Sequence, residues 1–141
     1  MFRRQEVEFL GLANHIKRKY RTNMRQDSPL TFREFVQYII DPRTRRPFDR
    51  HWQQLHEICQ PCRLRYDFIG HHETMASDGP YLLNRLGIDG IQFPQLGKYN
   101  SSHHVGEMFS QLRNSEIRRL VDIYRLDFAM FGYSANILSE F

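Results

Sequence analysis

The chain has 141 residues, of which 40% are apolar and 26% charged, and its formal net charge is +4. This length and composition fit one globular domain with a single core. No stretch approaches the roughly 20 apolar residues of a membrane span, and the first residues lack the apolar core and cleavage site of a signal peptide. By itself, the sequence is typical of a cytosolic protein.

Positive charge is concentrated in the first part of the chain. Residues 1–50 hold twelve Lys and Arg against six acids, whereas residues 51–141 hold eight against ten. A basic half attracts polyanions without choosing among them, and solvated basic helix faces give the same pattern. A helical polyanion-binding module is therefore one open function class.

The first two predicted elements are helices. Apolar residues at helical spacing predict an amphipathic helix over residues 6–21, with a basic opposite face. Thr31 and Glu34 match a capping box, which predicts a second helix with a buried stripe over residues 32–40. Pro42 ends that helix, because its ring disfavours helical geometry in the residue before it. A basic loop, PRTRRPFDR, follows.

The remaining elements are predicted in the second part of the chain. A helix is expected over residues 49–58 and a short strand over residues 63–69, although one strand alone cannot make a sheet. The residues 78–86 predict a helix with its proline in the first turn and Gly87 as the C-terminal cap. Ser115 is predicted to cap a last helix. The whole is mainly α with few short strands.

Two histidines and both cysteines lie within twelve positions: His51, His56, Cys59 and Cys62. Structural zinc sites usually take two ligand pairs a dozen or more residues apart, so this spacing argues against zinc, and we predict no metal site. A redox C-x-x-C motif needs a following helix to acidify its first thiol, whereas here a strand is predicted to follow. A disulfide and buried free thiols both remain open.

Several segments resemble one family. In chain order they are FREFVQYIID, HW, CQPCRLRYDFIGHHET, YLLNRLG, a Phe-Pro pair and IYRLDFAMFGYS. This series is similar to the C-terminal half of the Golgi carbohydrate sulfotransferases, relatives of the chondroitin, dermatan and N-acetylgalactosamine 4-O- and HNK-1 sulfotransferases. The resemblance covers residues 15–134. It predicts a divergent segment over residues 1–14 and, over residues 15–141, the C-terminal portion of a carbohydrate sulfotransferase domain.

The resemblance implies a function and a location. Family members are Golgi membrane proteins that transfer a sulfuryl group from 3′-phosphoadenosine 5′-phosphosulfate to a sugar hydroxyl of a glycan or proteoglycan. Their fold is an α/β, P-loop-like sulfotransferase fold, in which the strand at residues 63–69 would join a mainly parallel sheet. No metal and no nucleic-acid partner is implied.

The family's donor-binding motifs lie upstream of the matched block, and neither is present in this chain. We therefore expect the chain alone neither to bind the donor nor to turn over. Membrane attachment is expected only through an N-terminal anchor outside these residues, with the chain on the lumenal side. The alternative remains a non-catalytic helical module that binds polyanions.

The resemblance suggests residues on the acceptor side. His51 is a candidate general base, and Trp52 a candidate surface for stacking on a sugar ring. A purely structural role for both is the alternative. Glu73 matches an acidic position of the family, and it is either an acceptor contact or a carboxylate that pairs with a neighbouring cation.

A basic loop is a second candidate surface for an anionic acceptor. Its cations are Arg43, Arg45 and Arg46, and solvated surface is the alternative for them. For Cys59 and Cys62, the oxidising lumen of the family implies disulfide bonding, either to each other or to upstream cysteines.

The segment KYNSSHH lies where relatives commonly carry a Ser or Thr beside an Arg. Ser101, Ser102 and His103 are therefore weak candidates for donor contacts, although the expected Arg is missing. Asn100 begins a glycosylation sequon, which suits a lumenal loop. A glycan on Asn100 and a buried donor contact beside it could hardly coexist.

Overall fold

The computed structural model describes residues 2–21, 25, 27–44, 48–94 and 102–135, with side chains from Phe9 in the first helix and from His104 in the fifth. These residues form six helices in chain order: α1 (Phe2–Tyr20), α2 (Phe32–Ile40), α3 (Leu55–Cys59), α4 (Met75–Arg85), α5 (Ser102–Phe109) and α6 (Asn114–Met130). Within these residues no strand is formed, so the fold is mainly helical as predicted. None of the described helices has the length and apolar character needed to cross a membrane.

A buried ion pair joins α1 to α2. The Arg21 guanidinium, which follows α1, donates to both Glu34 carboxylate oxygens, at 2.7 and 2.8 Å. The remaining guanidinium protons reach the carbonyls of Arg25, Ser28 and Pro29. The Arg21 side chain therefore provides hydrogen-bond donors for three carbonyl groups of the segment between α1 and α2, and it holds the two helices together.

The predicted capping box is confirmed. The Glu34 N–H donates to the Thr31 hydroxyl, and the Thr31 N–H donates to the Glu34 carboxylate. Because Glu34 also binds Arg21, the start of α2 and its packing against α1 depend on the same carboxylate. The helix ends at Ile40, before Asp41, as the proline at position 42 predicts.

The main apolar core lies between α2 and α6. Val36, Leu112 and Ile117 are buried together, and Phe32, Ile40, Phe109, Leu120 and Val121 pack against them. Arg33 on α2 and Glu116 on α6 form an ion pair at 3.1 Å beside this core. The last helix is thus held against the second by both burial and charge.

The third helix is shorter than predicted. Residues 49–53 form turns rather than helix, and α3 begins only at Leu55. The Asp49 carboxylate accepts the His51 N–H at 3.0 Å, a local bond that competes with helical geometry. The helix ends at Cys59, and the next residue, Gln60, has a left-handed φ of 47°.

The strand predicted over residues 63–69 is not formed in the described part of the chain. From Arg65 to Gly70, no backbone group bonds to another backbone group of the described residues. A strand needs a neighbour to receive its hydrogen bonds, and no described segment provides one. Instead, the Tyr66 hydroxyl donates to the Cys59 carbonyl at 2.6 Å and bends the segment back toward α3.

The fourth helix begins earlier than predicted, at Met75, so that Pro80 lies inside it rather than in its first turn. Its predicted end is confirmed. Gly87 has a φ of +64°, its N–H donates to the Asn84 carbonyl, and the Ile88 N–H donates to the Leu83 carbonyl. These two bonds form a Schellman motif, which requires the left-handed conformation at Gly87.

Gly79 in α4 is required for the packing of Phe93. A Cβ at this position would lie 2.3 Å from Cγ and 2.6 Å from Cδ1 of the Phe93 ring. We expect Gly79→Ala to displace this ring and to lower the free energy of unfolding by about 1–2 kcal/mol, measured by urea denaturation. The matched control is Gly11→Ala in α1, where nothing lies within 4 Å.

Alanine is expected to stabilise the protein at Gly11 by up to about 1 kcal/mol, because it is the better helix former. Stabilisation at Gly79 of the same size would contradict the packing described.

The last two helices begin at positions other than those predicted. Helix α5 begins at Ser102, within the segment predicted as a loop. At the start of α6 the predicted cap, Ser115, is already inside the helix, and the Glu116 carboxylate accepts the Arg113 N–H at 2.8 Å instead. Glu116 also binds Arg33, so tertiary contact helped to set this helix start.

Candidate functional site

Asp127 joins the cysteine-containing segment to the last helix. Its carboxylate accepts the backbone N–H groups of Leu55 and His56, at 2.8 and 2.9 Å, and contacts Nδ1 of His56 at 2.6 Å. These are the first amides of α3, which have no partner within their own helix. A residue of α6 thereby supplies the N-terminal cap of α3 and fixes the orientation of the His56 ring.

His51 and Trp52 lie just before this contact and differ in exposure. The His51 side chain is 63% exposed, and its Nδ1 lies 2.5 Å from Asp49. The Trp52 indole is half-buried and meets the Phe35 ring edge to face at 5.3 Å. Tyr124 of α6 donates its hydroxyl proton to the Trp52 carbonyl at 2.5 Å. The geometry leaves His51 accessible and makes Trp52 part of the packing between α2 and α6.

Glu73 contacts the residues that directly follow α6. It is exposed, and it accepts the Tyr133 hydroxyl proton at 3.2 Å. His71 contacts the Phe131 carbonyl through Nε2 at 2.6 Å and meets the Tyr133 ring edge to face. The segment GHHET is thus bound to the residues after α6. Burial and the Glu73 carboxylate raise the pKa of Tyr133.

Arg43 lies beside the C-terminal end of α1. Its Nε and Nη2 donate to Asp41, both at 3.0 Å, and Lys19 of α1 approaches the same carboxylate at 3.0 Å. The Arg43 guanidinium, its own backbone N–H and the Tyr20 hydroxyl hold the pKa of Asp41 well below its usual range. The carboxylate therefore stays charged across the physiological pH range.

Other predicted site residues lie outside the described residues. They are Arg45, Arg46, Asn100 and Ser101, together with the side chains of Ser102 and His103. Among the described residues, no strand leads through a loop into a helix, so no donor phosphate site of the P-loop kind is formed there.

The cysteines and histidines do not form a metal centre in the described part of the chain, where no three His, Cys, Asp or Glu gather around one point. His56 is instead bound to Asp127. Cys59 is half-buried at the end of α3, Cys62 is exposed, and both are free thiols. The disulfide stays a prediction.

Asp127 and its partner His56 are the contacts that the sequence prediction missed. A signal for Asp127 was present, because an acid in the last turns of a helix opposes the helix dipole and calls for a compensating partner. The sequence gives no indication of which partner, since His56 lies 71 residues away.

Comparison with known proteins identifies the family. The model of the sulfotransferase family matches residues 2–134. Carbohydrate sulfotransferase 11 of Rattus norvegicus is 37% identical over 116 residues, which are 79% of this chain and 33% of that protein. Carbohydrate sulfotransferase 10 of Xenopus laevis is 38% identical over 135 residues, which are 86% of this chain and 38% of that protein.

A third relative, carbohydrate sulfotransferase 12 of Xenopus laevis, is 36% identical over 107 residues, covering 73% of this chain and 26% of that protein. The chain spans about a third of the length of the first relatives. No solved structure matches it. The division into a divergent segment over residues 1–14 and a sulfotransferase portion from residue 15 stays a prediction. The predicted resemblance is confirmed, and the chain belongs to the sulfotransferase family.

Proposed function

We propose that this chain is the C-terminal portion of a carbohydrate sulfotransferase and forms the acceptor side of its cleft. The complete enzyme would transfer a sulfuryl group from 3′-phosphoadenosine 5′-phosphosulfate to a sugar hydroxyl of a glycan or proteoglycan. The donor-binding loop and the rest of the sheet would come from an N-terminal portion. Family membership favours this function over a non-catalytic polyanion-binding module.

The exposure of large apolar side chains is the main support for this proposal. Large apolar side chains are exposed mainly from α3 onward: Leu55, Ile58, Leu64, Tyr66, Ile69, Tyr81, Leu86, Ile88 and Ile91. Apolar surface on this scale is typical of an interface, and the missing two thirds of the relatives' length is an occupant of sufficient size.

The backbone of residues 65–70 supports the same proposal. The segment is mostly exposed, and its N–H and C=O groups have no backbone partner in the described residues, so they are available to a neighbouring strand. A strand from the N-terminal portion would pair with them and bury Tyr66 and Ile69. The predicted strand would then lie in the sheet of the complete enzyme.

Specific roles follow for the candidate residues. His51 is exposed and oriented by Asp49, as a general base requires, and the half-buried Trp52 ring, 6.4 Å from the His51 ring, would support its position. Glu73 would order the segment before α4, and the three arginines Arg43, Arg45 and Arg46 would attract an anionic acceptor. For Ser101, Ser102 and His103, a weak donor contact remains the alternative to a glycan on Asn100, since the two could hardly coexist.

The location follows from the same family. The complete enzyme would lie on the lumenal side of the Golgi membrane, held by an N-terminal anchor. In that oxidising compartment, Cys59 and Cys62 would be disulfide-bonded, to each other or to upstream cysteines, and Asn100 would be a glycosylation site.

A chimera tests the proposal. In carbohydrate sulfotransferase 10 of Xenopus laevis, the matching C-terminal segment would be replaced by this complete chain, and transfer of labelled sulfate to the relative's own acceptor would be measured. We expect a folded chimera to transfer sulfate and the same protein without the C-terminal segment not to do so.

The chain alone is the matching control. Calorimetric titration with the desulfonated donor product should show no binding. A folded but inactive chimera, or micromolar donor binding by the chain alone, would overturn the proposal.

A further inference from the structure

A groove lies where the ends of α1 and α2 meet the start of α6; of its lining residues, only Arg43 has a role above. Its volume is about 560 Å³, within the range of about 300–1,000 Å³ that is usual for ligand sites. Tyr20, Ile40 and Pro42 supply a largely carbon floor, whereas Arg43, Ser115 and Arg119 supply polar groups. We call it the α1–α2–α6 groove.

The carboxylates of the groove are already compensated by cations. Asp41, whose side chain is 6% exposed, receives bonds from Arg43, Lys19 and the Tyr20 hydroxyl. Two cations therefore face this one acid. Glu116 receives bonds from Arg33 and from the Gln37 amide. Both carboxylates are therefore compensated by cations. Asp41 together with Lys19 and Arg43 carries a net positive charge.

Two guanidinium groups remain available at the rim. The Arg43 side chain is 79% exposed, and its Nη1 bonds to no described residue. Arg119 is exposed on α6, and the described residues offer it no hydrogen bond or ion pair. A guanidinium fork matches the oxygens of a sulfate or carboxylate group.

We infer that the α1–α2–α6 groove binds an anionic saccharide, a glycan segment that carries sulfate or carboxylate groups. The apolar floor can pack against the C–H faces of sugar rings. Arg43 and Arg119 can bind the sulfate or carboxylate groups of the same saccharide. The choice of a glycan rests on the proposed function, which it deepens by giving the acceptor a second contact apart from His51. The charge of the groove is independent of that proposal.

The test uses the complete chain and a chondroitin 4-sulfate hexasaccharide in calorimetric titration. Arg119→Gln is expected to weaken binding about fivefold, the size of one partly exposed ionic contact. The matched control, Arg125→Gln, removes the same charge from the same helix outside the groove, and should change the affinity less than twofold. Binding should weaken as salt is added.

Arg43→Gln provides a second variant, with thermal unfolding measured in parallel because Arg43 also binds Asp41. It should weaken binding at least as much as Arg119→Gln.

Three outcomes would overturn the inference: no saccharide binding, equal losses in Arg119→Gln and Arg125→Gln, or tighter binding of a DNA oligonucleotide of equal charge. The two proposals fail in distinguishable ways. An inactive chimera would overturn the proposed function and leave a measured saccharide affinity in place, whereas an active chimera without saccharide binding by the chain would overturn the groove assignment alone.

Discussion

Replacing Glu34 by glutamine is expected to lower the free energy of unfolding by about 3 kcal/mol, the largest effect of any single change considered for this protein. The change leaves the Arg21 guanidinium, whose side chain is 1% exposed, without its counter-charge. It also weakens the capping box that starts α2. Urea denaturation of the complete chain measures the difference.

The acid dependence of stability provides an independent check. Bonds from Arg21, and then from Thr31, lower the pKa of Glu34 from 4.5 to about 2. Because the folded-state pKa is depressed, the stabilisation is fully present above pH 4.5 and is lost as pH falls through about 2. The unfolding free energy of the parent protein should therefore fall across this window, and that of Glu34→Gln should fall less.

The control for both measurements is Glu57→Gln, which neutralises an exposed carboxylate on α3. It should leave the unfolding free energy within about 0.5 kcal/mol of the parent value. An acid dependence in Glu34→Gln as steep as that of the parent would show that other carboxylates, and not Glu34, govern the loss of stability between pH 4.5 and about 2.

Asp127→Ala is expected to release α3 from α6. The alanine cannot accept the amide protons of Leu55 and His56 or hold the His56 ring. Removing a charged acceptor of this kind costs about 2 kcal/mol. Beyond lower stability, we expect the Leu55 and His56 amides to exchange with solvent much faster, measured by hydrogen exchange.

The matched control is Asp122→Ala, which removes an exposed carboxylate from the same helix. It should leave exchange at Leu55 and His56 unchanged. In the chimera, Asp127→Ala should also lower sulfate transfer, since His51 and Trp52 directly precede the released helix. Slow exchange at both amides in Asp127→Ala would mean that α3 is held by other contacts.

Features fixed by neighbouring residues were predictable from the sequence. The capping box of Thr31 and Glu34 and the Schellman motif at Gly87 each involve residues within five positions of one another. Their hydrogen bonds join residues that are close in sequence, so the residue types alone indicate them. The family motifs were equally readable, and they gave the sulfotransferase assignment.

Features that depend on distant partners were not predictable in the same way. The helix expected from residue 49 is shortened because Asp49 bonds to His51, and α3 then takes its cap from Asp127. Residues 63–69 have the apolar pattern of a strand, but a strand forms only beside a neighbouring strand. The described residues contain no such neighbour. The candidate site therefore required the tertiary structure.

The sequence separations of the two ion pairs also indicate an order of folding. Arg21 and Glu34 are 13 residues apart, whereas Arg33 and Glu116 are 83 apart. Because loop-closure entropy grows with the logarithm of loop length, closing the longer loop costs about 1.6 kcal/mol more. During synthesis on the ribosome, the α1–α2 hairpin can form as soon as it emerges, while α6 docks only after almost the entire chain has been translated.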